Sequence, residues 1–378
     1  VNRLDAPCAK DFSAFASRAL AFPALRIHDP GVLKPLARQT PSEVPEKFRT
    51  ALHAWFGRNG KDYPWRRTTD PYAVLVSEVM LQQTQIATVL GRGFYTRFLE
   101  RFPDVASLAA AEDEPLLKAW EGLGYYRRAR MLRESARAVM EQHGGTFPRD
   151  HAGLLDLPGI GRYTAGALFS FAFDLPAPLV DGNVARVLAR LFDRADPVDS
   201  GAMQKWLWNT AEQLLDRKHP RGYNSALMEL GQTHCRPGLP DCLSCPVATF
   251  CQTREPAALP VKARKQMIEE IDEHALFVMD RDRLLMCRQG EGRREGMWRL
   301  PVRDKEEVAG LALLHRRKYG ITRYRVTLHL HDCAAAYPTA SHRSGERWIP
   351  LEELGSIVIP PADRAAITAV LDGAEEIA

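Results

Sequence analysis

The stretch from Leu154 to Arg190, LLDLPGIGRYTAGALFSFAFDLPAPLVDGNVARVLAR, constrains this chain most, because it holds two turn-then-helix units separated by an apolar run. In the first, Leu157-Pro158-Gly159-Ile160-Gly161 sets two conformationally permissive glycines ahead of Arg162 to Phe173, whose small and apolar residues suit a buried helix. That pattern predicts a hairpin between helices over 154–173. Glycines at such a turn let backbone N–H groups approach a phosphate, and the following helix N-terminus favours negative charge. Gly159 and Gly161 are therefore candidate contacts to a nucleic-acid backbone, with an ordinary Gly-rich helix start as the plain alternative. In the second unit, Val180-Asp181-Gly182-Asn183-Val184, a carboxylate ends the apolar run just before a helix over Ala185 to Phe192. Capping that helix is the plain role of Asp181.

The two units in this order resemble the helix-hairpin-helix DNA glycosylases. In that superfamily the hairpin holds DNA and the aspartate faces a flipped nucleoside.

At 378 residues the chain is long enough for two or three domains. It is 45% hydrophobic and 26% charged, as a soluble globular protein is, and no run of 18 uncharged apolar residues occurs. No basic-then-apolar leader is visible, so a cytoplasmic, nucleoid-associated location is expected and secretion is not. A net charge of +4 is compatible with DNA binding without indicating it. Of seven cysteines, Cys8, Cys287 and Cys333 are scattered, whereas Cys235, Cys242, Cys245 and Cys251 are crowded together. Disulfides explain the crowd poorly in a chain without a secretory signal. The spacing C-x6-C-x2-C-x5-C leaves zinc and a [4Fe–4S] cluster both open.

Residues 1–44 carry spaced prolines and no sustained period, and read as an arm without assigned function. From Glu46, the stripe Phe48, Leu52, Trp55 and Phe56 predicts a helix ending at Gly57. Arg58 to Asp70 is a polar loop in which Tyr63 and Trp65 are interleaved with basic residues, as suits a surface touching DNA and a base face. Pro71 to Leu90 then reads as one long helix, apolar nearly all round Glu78. A lone buried carboxylate is costly unless paired or protonated, and burial raises its pKa, so Glu78 is a candidate proton donor. Gln82 and Gln85 are expected on the Glu78 face and Gln83 elsewhere. Further on, Arg127, Arg130, Arg133 and Arg137 share one side of a helix, either as a solvated face or as a track for phosphates. Glu229 is a second acid in an apolar helix.

Taken together, PWR, SEVMLQQTQ, GLGYY, LPGIGRYTAG, VDGNV and the four-cysteine loop resemble the adenine DNA glycosylases that act on adenine mispaired with 8-oxoguanine, over roughly residues 46 to 254. The resemblance implies a two-lobed all-α catalytic domain over 45–254, with a [4Fe–4S] cluster on Cys235, Cys242, Cys245 and Cys251. It implies that Glu78 is the general acid and Asp181 the oxocarbenium-stabilising carboxylate, with Tyr163 and Asn183 in support. Trp65, Arg66 and Glu229 match the adenine pocket, and Gln83 and Tyr125 match residues that wedge into the duplex. Lys61 stands where the family usually has Arg, and Ala185 where some members have Lys.

Residues 255–267 read as a Pro- and Ala-containing linker, and 268–378 as an α+β domain with strands near Ala275–Met279, Arg283–Met286 and Tyr324–Leu330. Gly296 to Pro301 resembles a turn of the family's Nudix-like C-terminal domain. The acids of a working Nudix site are missing from LLHRRKYG, so a reader of 8-oxoguanine is expected there and not a second hydrolase. The family's Phe-Ser-His reading loop is met most nearly by Thr327-Leu328-His329, with His329 the leading contact. The expected activity is monofunctional hydrolysis of the adenine glycosidic bond opposite 8-oxoguanine or guanine, by a monomer on double-stranded DNA. Two rivals are an endonuclease III-like glycosylase/lyase, which needs a lysine where Tyr163 stands, and a catalytically silent iron–sulfur DNA-binding protein.

Overall fold

Helices occupy the chain from Pro45 to Thr233, and strands begin at Glu269. The computed structural model describes residues 40–41, 45–262, 267–292, 294–321, 323–333 and 343–373, all within one unit spanning Thr40–Ala378. Nearly all of the expected arm over 1–44, and residues 263–266 of the expected linker, lie outside the described residues.

The first helix, α1 (Pro45–Asn59), buries Phe48 and Leu52 completely, but not against the helices that follow it. Those are α2 (Pro71–Leu81), α3 (Ile86–Gly91), α4 (Phe94–Arg101), α5 (Val105–Ala109), α6 (Asp113–Ala119), α7 (Arg127–His143), α8 (His151–Asp156) and α9 (Arg162–Ala167). They enclose one core around Leu75, Val76, Phe98, Leu116, Trp120 and Leu132. The apolar side chains of α1 instead join those of α10 (Gly182–Leu191), α11 (Gly201–Leu214) and α12 (Pro220–Thr233) in a second core around Val184, Leu188, Leu207, Tyr223 and Leu227. The chain thus starts in one lobe, builds the other and returns at Asp181. The all-α, two-lobed expectation holds, and the seam between the cores carries Glu78 on one side and Asp181 on the other.

Three expectations need correction. The helix expected over Pro71 to Leu90 is broken: α2 stops at Leu81, Gln82 turns extended with ψ 113° and Gln83 takes a left-handed φ of 58° before α3 resumes. Gln82 and Gln85 therefore do not continue the Glu78 face. Nor does the arginine stripe of α7 form one free track: Arg127 is exposed, but the other three are taken up within the protein. Arg133 donates to Ala111 O at 3.1 Å and pairs with Asp113 at 2.6 Å, and Arg137 donates to Ala109 O at 3.0 Å. These side chains tie α7 to the turn between α5 and α6, and Arg130 reaches Glu295 O at 2.6 Å.

The third correction concerns the strands β1 (Glu269–Phe277), β2 (Met279–Asp280), β3 (Arg283–Arg288), β4 (Trp298–Arg299), β5 (Val302–Arg303), β6 (Leu313–Ile321), β7 (Tyr324–Asp332) and β8 (Glu346–Pro350). One sheet runs β5-β1-β7-β6 with β1 and β7 parallel, and in the other β3 pairs with β2, β4 and β8. Their apolar faces meet over Ala275, Leu284, Met286, Leu328 and Leu330, closed by α13 (Pro361–Leu371) through Ile367. Thr327-Leu328-His329 lies in the middle of β7, inside the strand expected over Tyr324–Leu330, so its match to the family's reading loop fails: Leu328 alternates into this core and is fully buried. The sheet region also reaches the helices. Met297 and Val358 complete the first helical core, and Arg364 pairs with Glu121 at 2.7 Å.

Candidate active site

Glu78 sits on α2 with 6% of its surface exposed, among residues that are nearly all buried. Asp70 fixes that helix by accepting from the N–H groups of Tyr72 and Ala73. Facing it across the hairpin, Tyr163 occupies the first turn of α9 and donates its hydroxyl to Glu78 Oε2 at 2.9 Å. Burial, the largest influence, pushes the Glu78 carboxyl up to about 7. The Tyr163 hydrogen bond pulls it down, and the charge of Asp181 pushes it up again. Burial and the two acids in turn hold the Tyr163 phenol well above its ordinary value.

Asp181 is both a cap and a site residue. One of its oxygens accepts from Val184 N at 2.7 Å, fixing the start of α10, and the other accepts from Asn183 Nδ2 at 2.7 Å. The cap holds the carboxylate at the seam, so capping does not exclude a role there. Asn183 is held from behind: its Oδ1 accepts from Arg186 Nη2 at 2.8 Å, and Arg186 also donates to Gly231 O at 2.8 Å and Cys235 O at 2.7 Å. A Cβ on Gly231 would stand 2.7 Å from Asn183 Cβ, so the close crossing of α10 and α12 requires glycine there.

On α12, Met228 Sδ lies 3.9 Å from the Tyr163 hydroxyl, and Glu229 is fully buried. Glu229 pairs with Arg66 and accepts from Lys61 N at 2.9 Å. The Lys61 contact is made by the backbone, so the departure from Arg at this position leaves it intact. Arg66 lies 4.8 Å above the Tyr63 ring, which itself stacks on buried Trp65 at 5.2 Å. The expected pocket residues Trp65, Arg66 and Glu229 are thus brought together as an aromatic and ion-paired wall.

The hairpin turn is exposed at Gly159 and Gly161. Gly159 has φ 76° and Gly161 N-caps α9. Gln83 and Tyr125 are exposed as well, at separate turns, and both are non-glycine residues with positive φ, 58° and 47°. His329 lies apart from the carboxylates, in the sheet. Its Nε2 is 2.8 Å from Asp272 Oδ1 and its ring stacks on His274 at 4.7 Å.

The four cysteines follow α12, and Cys235, Cys245 and Cys251 pack against the second core. Burial, with the neighbouring thiols adding to it, pushes Cys245 up to about 11 and Cys251 to about 12. Arg190 Nη1 lies 3.4 Å from Cys235 Sγ and donates to Arg236 O at 2.8 Å. As placed, no three His, Cys, Asp or Glu side chains among the described residues converge closely enough to hold one metal ion. A polynuclear cluster bonds each thiolate to a different iron and sets them farther apart than a single ion does. Four thiols in one short loop, three of them shifted by their neighbours' charge and one beside a buried guanidinium, are a donor set that fits such a cluster.

Sequence reasoning missed Arg128, Arg186 and Arg190. Arg186 and Arg190 carry a signal like the one that exposed Glu78, charge on an otherwise apolar helix, here twice and four residues apart.

Residues 76–212 match the HhH-GPD superfamily of base excision DNA repair proteins. The chain is 45% identical over 217 residues to an adenine DNA glycosylase of Homo sapiens, covering 55% of this chain and 39% of that protein. It is 47% identical over 215 residues to the adenine DNA glycosylase of Mus musculus, covering 54% and 41%. It is 38% identical over 207 residues to that of Buchnera aphidicola subsp. Baizongia pistaciae, covering 54% and 58%. The chain spans about two fifths of the length of these two mammalian relatives.

Proposed function

We propose that this chain is a member of the HhH-GPD superfamily of base excision DNA repair proteins, and within it of the adenine DNA glycosylases, and that it hydrolyses the glycosidic bond of adenine mispaired with 8-oxoguanine or guanine in double-stranded DNA. The observation that carries this reading is the unequal pair at the seam: a buried Glu78 whose carboxyl is pushed up to about 7, and an Asp181 whose two oxygens both accept from N–H donors.

A base inside the stack is out of reach, so the adenine nucleotide is flipped into the seam, with Gln83 and Tyr125 filling the gap. Glu78 in its protonated form gives its proton to a ring nitrogen of the leaving adenine. Tyr163 orients that carboxyl and accepts no covalent role. The sugar left behind carries developing positive charge, which Asp181 stabilises from its capped position until water adds. Trp65 and the Arg66–Glu229 pair line the base pocket, and the exposed Gly159–Gly161 turn offers backbone N–H groups to a phosphate. Cys235, Cys242, Cys245 and Cys251 would hold a [4Fe–4S] cluster, which supplies structural order to the loop after α12. The sheet region serves as a Nudix-like reader of the partner base, with His329 its contact.

A lyase would need an amine beside the sugar, and the hairpin position next to Glu78 is Tyr163. The decisive experiment is single-turnover excision on duplexes holding A:8-oxoguanine, A:G or A:T, with borohydride added in parallel. Free adenine from the first two and no trapped covalent complex is expected. Failure to release adenine, or a trapped Schiff base, would overturn the assignment.

A further inference from the structure

Two side chains read above as duplex wedges sit on backbone that their residue types avoid. Gln83 and Tyr125, with φ of 58° and 47°, each give up about 1 kcal/mol or more to the left-handed conformation, so something must hold these turns in place. The two turns are far apart in sequence, yet a single side chain grips both. Arg128, in the first turn of α7, donates through Nη1 to Val79 O at 2.9 Å, to Met80 O at 3.1 Å and to Gln82 O. Through Nη2 it donates to Leu123 O at 3.0 Å, Gly124 O at 3.2 Å and Thr84 Oγ1 at 3.3 Å. One nitrogen therefore holds the carbonyl just before Gln83, and the other holds the carbonyl just before Tyr125. The guanidinium also lies 5.6 Å from the centre of the Tyr125 ring.

A role confined to capping α2 would account for the first set of bonds and not the second, because Leu123 and Gly124 belong to a different turn. The guanidinium is planar and rigid, so the spacing of its two terminal nitrogens fixes the spacing of what they hold, whereas a lysine offers one flexible point charge. We propose that Arg128 is a positioning residue that locks the Gln83 and Tyr125 turns at one separation, so that both side chains enter the duplex as a single preset wedge. The inference rests on the reading of those two residues as wedges.

The test compares the wild type, Arg128→Lys, Gln83→Ala with Tyr125→Ala, and the triple variant. Two readouts are taken: the fluorescence rise of a 2-aminopurine placed beside the mispair on binding, which needs no excision, and single-turnover adenine release. Release is measured from a paired duplex and from one in which the base opposite adenine is missing, so that the stack is already loosened. Arg128→Lys should lose the fluorescence rise and slow release from the paired duplex by about 100-fold, with release from the loosened duplex within about threefold of wild type. In the wedge-less background the same substitution should cost nothing more. Equal losses on both duplexes, or an undiminished loss in the wedge-less background, would overturn the proposal. If Arg128→Lys folds poorly, the ratio of the two rates within one preparation is independent of the folded fraction, and Arg128→Gln supplies a second ratio. A wild type that releases adenine from neither duplex defeats the glycosylase reading, while the fluorescence comparison still decides Arg128.

Discussion

Tyr163 donates to Glu78 Oε2 at 2.9 Å, and this hydrogen bond opposes the burial that lifts the Glu78 carboxyl to about 7. A hydrogen bond to the ionised form favours that form, and burial favours the neutral acid. The two residues thus set the proton supply between them. On the proposed mechanism the protonated acid is the working form, so excision should fall as pH rises through about 7. Tyr163→Phe removes the opposing influence and should move this fall to higher pH, whereas Glu78→Gln should abolish excision and leave duplex binding. A pH series of single-turnover rates checks all three, and a profile unmoved in Tyr163→Phe would contradict the coupling.

The same carboxyl makes the fold itself depend on pH. A buried acid whose native pKa lies above its unfolded value, here about 7 against 4.5, contributes fully below the unfolded value and loses that contribution as pH rises to the native one. Glu78→Gln should therefore gain stability relative to the wild type between pH 5 and 8, by up to about 3 kcal/mol. Urea midpoints across that range provide the measurement, and parallel curves would refute it.

Arg66 and the fully buried Glu229 form an ion pair in the wall of the proposed base pocket. Arg66→Met leaves the carboxylate with Lys61 N and no charge partner, at an expected cost of about 3 to 5 kcal/mol. Arg66→Met combined with Glu229→Leu should recover most of it, as denaturant titration of the three proteins would show.

Gly231→Ala places a methyl group 2.7 Å from Asn183 Cβ. The expected result is a loss of about 1 to 3 kcal/mol of stability. Excision should fall more than stability does, because the displaced Asn183 releases Asp181. Retention of full activity would show that Asp181 does not depend on its amide neighbour.

The cysteine loop should bind iron. Anaerobically purified protein is expected to be brown and to contain about four irons per chain, as a [4Fe–4S] cluster requires. Stoichiometric zinc without iron in metal analysis would reject the cluster.

Glu78 was legible in the sequence for a simple physical reason, as a charge with no partner in an apolar helix, whereas Asp181, an acid at a helix start, read as a cap and became a site candidate only through the family resemblance. What sequence could not show is set by distant partners. The segment Gln82-Gln83-Thr84-Gln85 suits a helix by composition, and it breaks where Arg128 takes up the carbonyls of α2. Arg130, Arg133 and Arg137 have the spacing of a phosphate track but find their acceptors within the protein. Strand β6 was hidden because Arg316, Arg317 and Lys318 interrupt its apolar alternation, and its pairing with β7 overrides local preference. The alternation over Tyr324–Leu330 was legible as a strand and is β7, and what failed was matching Thr327 to His329 to a reading loop, because Leu328 alternates into the core.

Met297 and Val358 fill the first helical core from the sheet side, and this bears on how the molecule comes apart. Apolar side chains shared by two regions couple their unfolding, since neither can melt without exposing the other's surface to water. Heating should yield one calorimetric transition for helices and sheets together, and truncation near Val261 would yield a fragment with an open cavity where those two side chains had been. One transition would make the proposed excision machinery and the proposed reader of the opposite base a single cooperative object.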